Sequence, residues 1–109
     1  METNTILDTN IAIGSKRGTI TIFTAIEYPP SSTRDFDILF PDKLDFLKSL
    51  EIADTLRENG TPIGAIDIIL AAMCLNRQAT LITADNDFRH VRSAFSDFKL
   101  ELQEKSNSL

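Results

Sequence analysis

The fold is decided by the stretch Ala65-Ile66-Asp67-Ile68-Ile69-Leu70-Ala71-Ala72-Met73-Cys74-Leu75-Asn76-Arg77 and by the segment directly after it. Beyond Gln78 and Ala79 comes Thr80-Leu81-Ile82-Thr83-Ala84-Asp85-Asn86-Asp87-Phe88. The first part carries Ile, Leu and Ala around most of a helical wheel, which predicts a largely buried helix from about Ala65 to Arg77. The second begins as a short β-branched run, which predicts a strand over Thr80 to Thr83 closed by polar turn residues. A buried helix leading directly into a strand is half of a crossover unit, and the rest of the chain supplies its neighbours.

Upstream, Leu44, Leu47, Leu50, Ala53 and Leu56 recur at three- to four-residue spacing. They predict an amphipathic helix from about Lys43 to Asn59, capped by Asp42 and ended by Gly60. Nearer the start, Thr5-Ile6-Leu7 reads as a short strand leading into Asp8-Thr9-Asn10, and Thr19-Ile20-Thr21-Ile22-Phe23 as a second strand. Thr24 then reads as a helix N-cap with Glu27 as its capping-box partner. Pro29 and Pro30 hold that helix to a turn or two, and a loop through Ser31, Ser32 and Asp35 comes next. Phe98 to Leu102 alternates apolar and charged residues, as a last strand would. Strands separated by helices imply a three-layer α/β/α arrangement around a mostly parallel sheet. Residues 1–103 are expected to form one domain, and Glu104 to Leu109 a frayed polar tail.

Bulk properties narrow the function. The 109 residues allow one modest core. Asp67 interrupts the longest apolar stretch, so no membrane span is expected, and the N-terminus lacks the pattern of a signal peptide. A single cysteine, Cys74, permits no internal disulfide and suits a reducing, cytoplasmic setting. The net charge of −5 argues against a simple basic nucleic-acid binder. It fits either a solvated acidic surface or carboxylates gathered in a pocket around a divalent cation.

The positions of the carboxylates favour the pocket. In open parallel sheets, ligands bind beyond the carboxyl ends of the strands. Asp8 follows the first strand, Glu27 is placed in the first turn of the helix after the second, Asp67 opens the buried helix, and Asp85 and Asp87 follow the strand ending at Thr83. Each has a plainer explanation: an Asx-turn for Asp8, a capping box for Glu27, the helix dipole for Asp67, ordinary loop polarity for Asp85 and Asp87. Asp67 between Ile66 and Ile68 strains its own, because an unpaired buried carboxylate is costly. Hard oxygen donors without a His or Cys cluster suit Mg²⁺ or Mn²⁺, and such a site can aim a water at a phosphodiester. No nucleophile elbow or phosphate-binding glycine loop is present to suggest other chemistry.

Four segments together resemble the PIN-domain family, and within it the VapC-type toxins of toxin–antitoxin pairs. They are Ile6-Leu7-Asp8-Thr9-Asn10, Thr21 to Pro29 around Glu27, Pro62 to Ala72 around Asp67, and Leu81 to Phe88 around Asp85. The resemblance implies a Mg²⁺- or Mn²⁺-dependent endoribonuclease with Asp8, Glu27, Asp67 and Asp85 as its acidic set. Asp87 would be an accessory metal ligand, and Thr83 and Asn10 would support Asp8 and its loop. It also implies an RNA substrate, an inhibitory antitoxin protein and a homodimer. Only 19 positions separate Asp8 from Glu27, fewer than family members usually place there. That shortening motivates the alternative of a catalytically inactive PIN-like binding module. Lys16, Arg17, Arg89 and Arg92 are the basic residues expected near the sheet edge, where they could meet RNA phosphates; His90 is assigned no catalytic role.

Overall fold

The computed structural model describes residues 4–104. Strand β1 (Thr5–Leu7) leads through Asp8 into a one-turn helix α1 (Thr9–Ala12). Strand β2 (Arg17–Thr21), helix α2 (Ile22–Glu27) and a 3₁₀ turn (Pro29–Thr33) come next, then strand β3 (Asp35–Leu39). Helices α3 (Lys43–Glu58) and α4 (Ala65–Arg77) precede strand β4 (Thr80–Thr83), helix α5 (Phe88–Ala94) and strand β5 (Lys99–Leu102). Every strand pairing is parallel: β1 with β4, β4 with β5, and β2 with β3. The strand order is β1-β4-β5 in one sheet and β2-β3 in the other, an α/β architecture with a mostly parallel sheet as expected. Of the predicted tail, the part beyond Glu104 lies outside the described residues.

The two sheets meet closely at Gly18, where φ is +143° and a Cβ would stand 2.9 Å from the Leu7 side chain. Glycine therefore lets β2 lie against β1, both through its backbone and through its missing side chain. The core gathers Ile6, Leu81, Ile52, Leu56, Phe88, Phe98 and the buried face of α4, with the Phe88 and Phe98 rings stacked at 6.4 Å. Cys74 is fully buried there, and burial pushes its thiol up to about 12, so it serves packing rather than reaction.

Several local expectations are corrected. The second strand begins and ends two residues earlier than its sequence signal, and α2 starts at Ile22 with Thr21 as N-cap rather than Thr24. Thr24 is buried inside the helix, where its hydroxyl meets Thr9, and Glu27 is the last residue of α2 rather than part of its first turn. No Thr24–Glu27 capping box forms. Helix α1, strand β3 and helix α5 add to the expected elements; β3 occupies part of the expected loop, held by full parallel register with β2 from Arg17↔Asp35 to Thr21↔Leu39. The last strand starts one residue later than expected, leaving Phe98 to the core.

Helix α3 departs furthest from its apolar stripe. Leu44, Leu47 and Leu50 are 67%, 51% and 70% exposed, while Asp45, Ser49, Ile52 and Leu56 face inward. The reason is a buried ion pair. Asp45 is fully inaccessible, yet its carboxylate takes two bonds from the Arg77 guanidinium at 2.9 and 3.0 Å and one from Asn76 Nδ2 at 2.9 Å. Its Oδ2 also accepts from the Asp42 backbone N–H, completing a reciprocal capping box at the start of α3. One side chain thus caps α3 and ties it to the end of α4, and the helix turns to keep that arrangement.

Burial would raise the Asp45 carboxyl, but the bonds from Arg77, the Asp42 backbone and Asn76 outweigh it and hold the group below its ordinary value of 3.8. A depressed carboxyl adds stability above its unfolded pKa and loses it as pH falls through the folded one. The stability advantage of the native protein over Asp45→Asn is therefore expected to shrink on acidification below pH 3.8. At neutral pH, Asp45→Ala removes the main partner of the Arg77 guanidinium, leaving it the Met73 carbonyl and the more distant Asp42 carboxylate, and is expected to cost about 3 kcal/mol in urea unfolding. A cost under about 1 kcal/mol would mean that the pair does not organise α3 and α4.

Candidate active site

Parallel pairing builds the site before any side chain acts. The Asp8 backbone N–H donates to the Ile82 carbonyl at 2.9 Å, so the ends of β1 and β4 lie side by side. The buried Thr83 hydroxyl then donates to Asp8 Oδ2 at 2.7 Å and accepts from the Asp85 N–H at 3.0 Å. A single hydroxyl orients one acidic residue and fixes the backbone of another. Asn10 supports the same corner: its Oδ1 accepts from the Ala84 N–H at 3.1 Å, while its Nδ2 is 3.5 Å from both Asp8 Oδ2 and Thr83 Oγ1. At that length the last two contacts are weak, and the backbone bond is the stronger tie.

The plainer roles open to these carboxylates are partly real. Asp8 caps α1 through a 2.8 Å bond from the Thr9 N–H, and Asp85 Oδ1 accepts from the Asp87 N–H at 2.9 Å. Each of those bonds uses Oδ1 only. Glu27 reaches the same edge through the Thr9 hydroxyl, which donates to its Oε1 at 2.7 Å. Since the Thr9 proton is committed there, Thr24 must donate to Thr9 across their 2.8 Å contact. Thr9 and Thr24 are thus supporting members of the site that sequence reasoning does not find. Their pairing depends on α1 packing against α2, and α1 itself carries too short a signal to be read.

Asp67 sits in the first turn of α4 as expected, but it is only half-buried, and Ile66 beside it is 44% exposed. Its carboxylate makes no hydrogen bond among the described residues. Partial burial, then the charges of Asp8, Asp85, Asp87 and Glu27, push it up to about 6. Burial raises Asp8 as well, against the bonds from Thr83 and Thr9, with Asp85 and Glu27 adding to the rise. All five carboxylates therefore share one field. They do not form a closed cage: among the described residues no three His, Cys, Asp or Glu side chains stand close enough to ligate one ion as arranged. An all-oxygen, mutually repelling set of this kind suits a hard divalent cation bound through one or two carboxylates and several waters.

The basic residues divide. Arg89 lines a groove that shares Asn10 and Asp85 with the carboxylate corner. Arg92 instead bonds the Ser96 carbonyl and lines a separate cleft with Thr80 and Lys99, where β4 and β5 begin, away from the expected edge. Arg17 opens β2, at the end opposite Thr21 and the helix that carries Glu27. Arg34 bonds the carbonyls of Ile13 and Ser15 and the Tyr28 hydroxyl, tying the 3₁₀ turn to the loop after α1.

The crowding has a thermodynamic consequence. A carboxyl whose folded pKa is raised binds its proton more tightly folded than unfolded, so it costs nothing below the unfolded value and its full penalty above the folded one. In EDTA, the melting temperature is expected to fall as pH rises from the ordinary carboxylate value of 3.8 through about 6. Asp67→Asn should remove much of that decline; parallel curves for the two proteins would contradict the shared field.

Comparisons with known proteins bear on the fold and the family. No curated protein sequence gives a significant match. Among solved structures, VapBC-5 from Mycobacterium tuberculosis, a member of the VapBC family of toxin–antitoxin systems, is similar with a TM-score of 0.73 and 22% identity, over 92% of this chain and 97% of that one. A promoter-DNA-bound VapBC2 from Rickettsia felis gives 0.71 and 16%, over 89% and 96%. VapBC-1 from nontypeable Haemophilus influenzae gives 0.69 and 23%, also over 89% and 96%. At these identities the likeness speaks to fold. The PIN domain family model matches residues 31–94, which include Asp67, Asp85 and Asp87 and begin after Asp8 and Glu27. With more than half its length matched by that model, the chain belongs to the PIN-domain family.

Proposed function

We propose that this chain is a metal-dependent endoribonuclease, the toxin of a toxin–antitoxin pair, that hydrolyses RNA phosphodiester bonds. The observation that carries the reading is the gathering of carboxylates at one sheet edge: the β1–β4 register sets Asp8 beside Thr83 and Asp85, Thr9 brings in Glu27, and Asp67 opens α4 within the field of all of them. Perturbed acids converging at one sheet edge are a mark of functional sites. Asp8, Asp67, Asp85 and Asp87 would hold Mg²⁺ or Mn²⁺, which when bound polarises a phosphodiester and lowers the pKa of a water. Asp8, Glu27, Asp67 and Asp85 form the catalytic set. Thr83 keeps Asp8 Oδ2 aimed from the end of β4, Asn10 holds the Ala84 backbone, and Thr9 fixes the direction of Glu27. Glu27 is exposed and bound at one oxygen, which leaves the other to accept a proton from water.

An inhibitory protein partner fits the same reading. Leu44, Phe46, Leu47 and Leu50 form an exposed apolar face on α3, beside an open groove of about 670 Å³ that Ala53, Ile68 and Ile69 also line. Contiguous apolar surface of this kind marks a protein contact, here with an antitoxin or in a homodimer. The compared structures are VapBC complexes, which is in keeping with it. The resident setting in this reading is the cytoplasm; no helix among the described residues is long and apolar enough to cross a membrane.

Two observations favour a second reading. The carboxylates stand too far apart to ligate one ion as arranged, and the span from Asp8 to Glu27 is short, both of which suit an inactive PIN-like binding module. RNA cleavage by purified protein with Mn²⁺, Mg²⁺ or EDTA separates the two. The ribonuclease reading expects cleavage with either ion, none in EDTA, and loss in Asp8→Asn. Thr83→Val, which removes only the supporting hydroxyl, should lower the rate by roughly 10- to 100-fold. A folded protein that cuts no RNA with either ion would leave the binding module.

A further inference from the structure

Beside the carboxylate corner, the chain forms an open groove of about 840 Å³ lined by Asn10, Ala84, Asp85, Asn86, Arg89, Leu102, Gln103 and Glu104. The volume lies within the range of sites that enclose small ligands. Its walls come from rigid elements. Parallel pairing of β4 with β5 continues one residue past the strands, where the Gln103 N–H donates to the Thr83 carbonyl at 2.8 Å. Gln103 therefore stands beside the residue whose hydroxyl holds Asp8. Asn10, whose Oδ1 takes the Ala84 N–H, also lines the groove. Arg89 is the only cation among these lining residues. Its guanidinium is exposed and makes no hydrogen bond or ion pair among the described residues, although carboxylates surround the site. Arg77, Arg34 and Arg92, by contrast, are each committed to protein acceptors.

We infer that this groove is a nucleotide subsite for single-stranded RNA next to the bond to be cut, with Arg89 binding a flanking phosphate and Asn86 and Gln103 reading the adjoining base. The inference rests on the ribonuclease reading and adds the residues that position and select the substrate. A planar guanidinium suits bidentate contact with phosphate. The amide of Asn86 offers both donors and acceptors, and Gln103, whose Nε2 donates to Glu101 Oε2 at 3.1 Å on the exposed surface, keeps its Oε1 and a second N–H for the edge of an unpaired base. Ala84 and Leu102 supply apolar surface for its face. Because the protein is acidic, one well-placed arginine has to carry much of the local phosphate attraction. The subsite therefore acts through position rather than through a broad basic surface.

The test is binding of a short, mixed-sequence, fluorescently labelled single-stranded RNA, followed by anisotropy at fixed calcium over a series of KCl concentrations. Removing one phosphate contact lowers the salt slope by about 0.7 for a single strand. Arg89→Ala is expected to show that drop and weaker binding at low salt, with Arg89→Lys keeping most of the slope. Arg92→Ala, altered in the separate cleft, should leave it unchanged. In a manganese cleavage assay, Gln103→Leu should redistribute the cut sites on the same RNA. An unchanged slope in Arg89→Ala, or no RNA binding by the native protein, overturns the subsite. Cleavage that is absent with manganese while the slope still falls would sink the ribonuclease reading and leave the groove as a site that binds RNA without a bond to cut. Cleavage with an unchanged slope would sink the subsite alone.

Discussion

The structure depends on the parallel pairing of β1 with β4, closed at its carboxyl end by the bond from the Asp8 N–H to the Ile82 carbonyl. Residues 8 and 82 are far apart in sequence, and this register alone brings Asp8 beside Thr83 and Asp85. Parallel strands leave their ends together at one edge, and the helices that begin there bring further polar groups to it. In this chain the groups are carboxylates, so the same geometry that completes the sheet concentrates negative charge. Partial burial first, and then this shared charge, push Asp67 up to about 6.

The molecule handles its two carboxylate environments in opposite ways. Asp45 is fully buried but saturated by Arg77, Asn76 and a backbone N–H, and its carboxyl is held below its ordinary value. Asp67 is less buried and has no such partners, and its carboxyl is raised. The first arrangement is structural: it joins α3 to α4 and helps to turn the leucines of α3 outward. The second leaves charge available for a ligand. Burial alone would not have distinguished them; hydrogen-bond saturation does.

Much of this is legible from residue order. The buried helix Ala65–Arg77, the strand Thr80–Thr83 and the parallel α/β class follow from periodicity and spacing. Asp8, Asp67 and Asp85 can be placed because strand ends and helix starts are local signals. Features that depend on long-range partners are not legible. Ile22 and Phe23 continue the β-forming run from Thr19 and look like strand, yet they open the first turn of α2. Strand β3 carries Asp35 and Asp37 and becomes recognisable only through its pairing with β2. The leucine stripe of α3 misleads for the same reason, since nothing in its spacing reveals that Arg77 waits for Asp45.

The central claim is that strand ends gather these acids around a divalent ion. A crystal soaked in Mn²⁺ and measured at the manganese absorption edge tests it most directly. The account predicts an anomalous peak at the corner where β1, β4 and α4 meet, bonded to Asp8 and to at least one of Asp67, Asp85 and Asp87. A fully soaked crystal with manganese only elsewhere, or with Asp8 still held by Thr83 and no ion beside it, would contradict it.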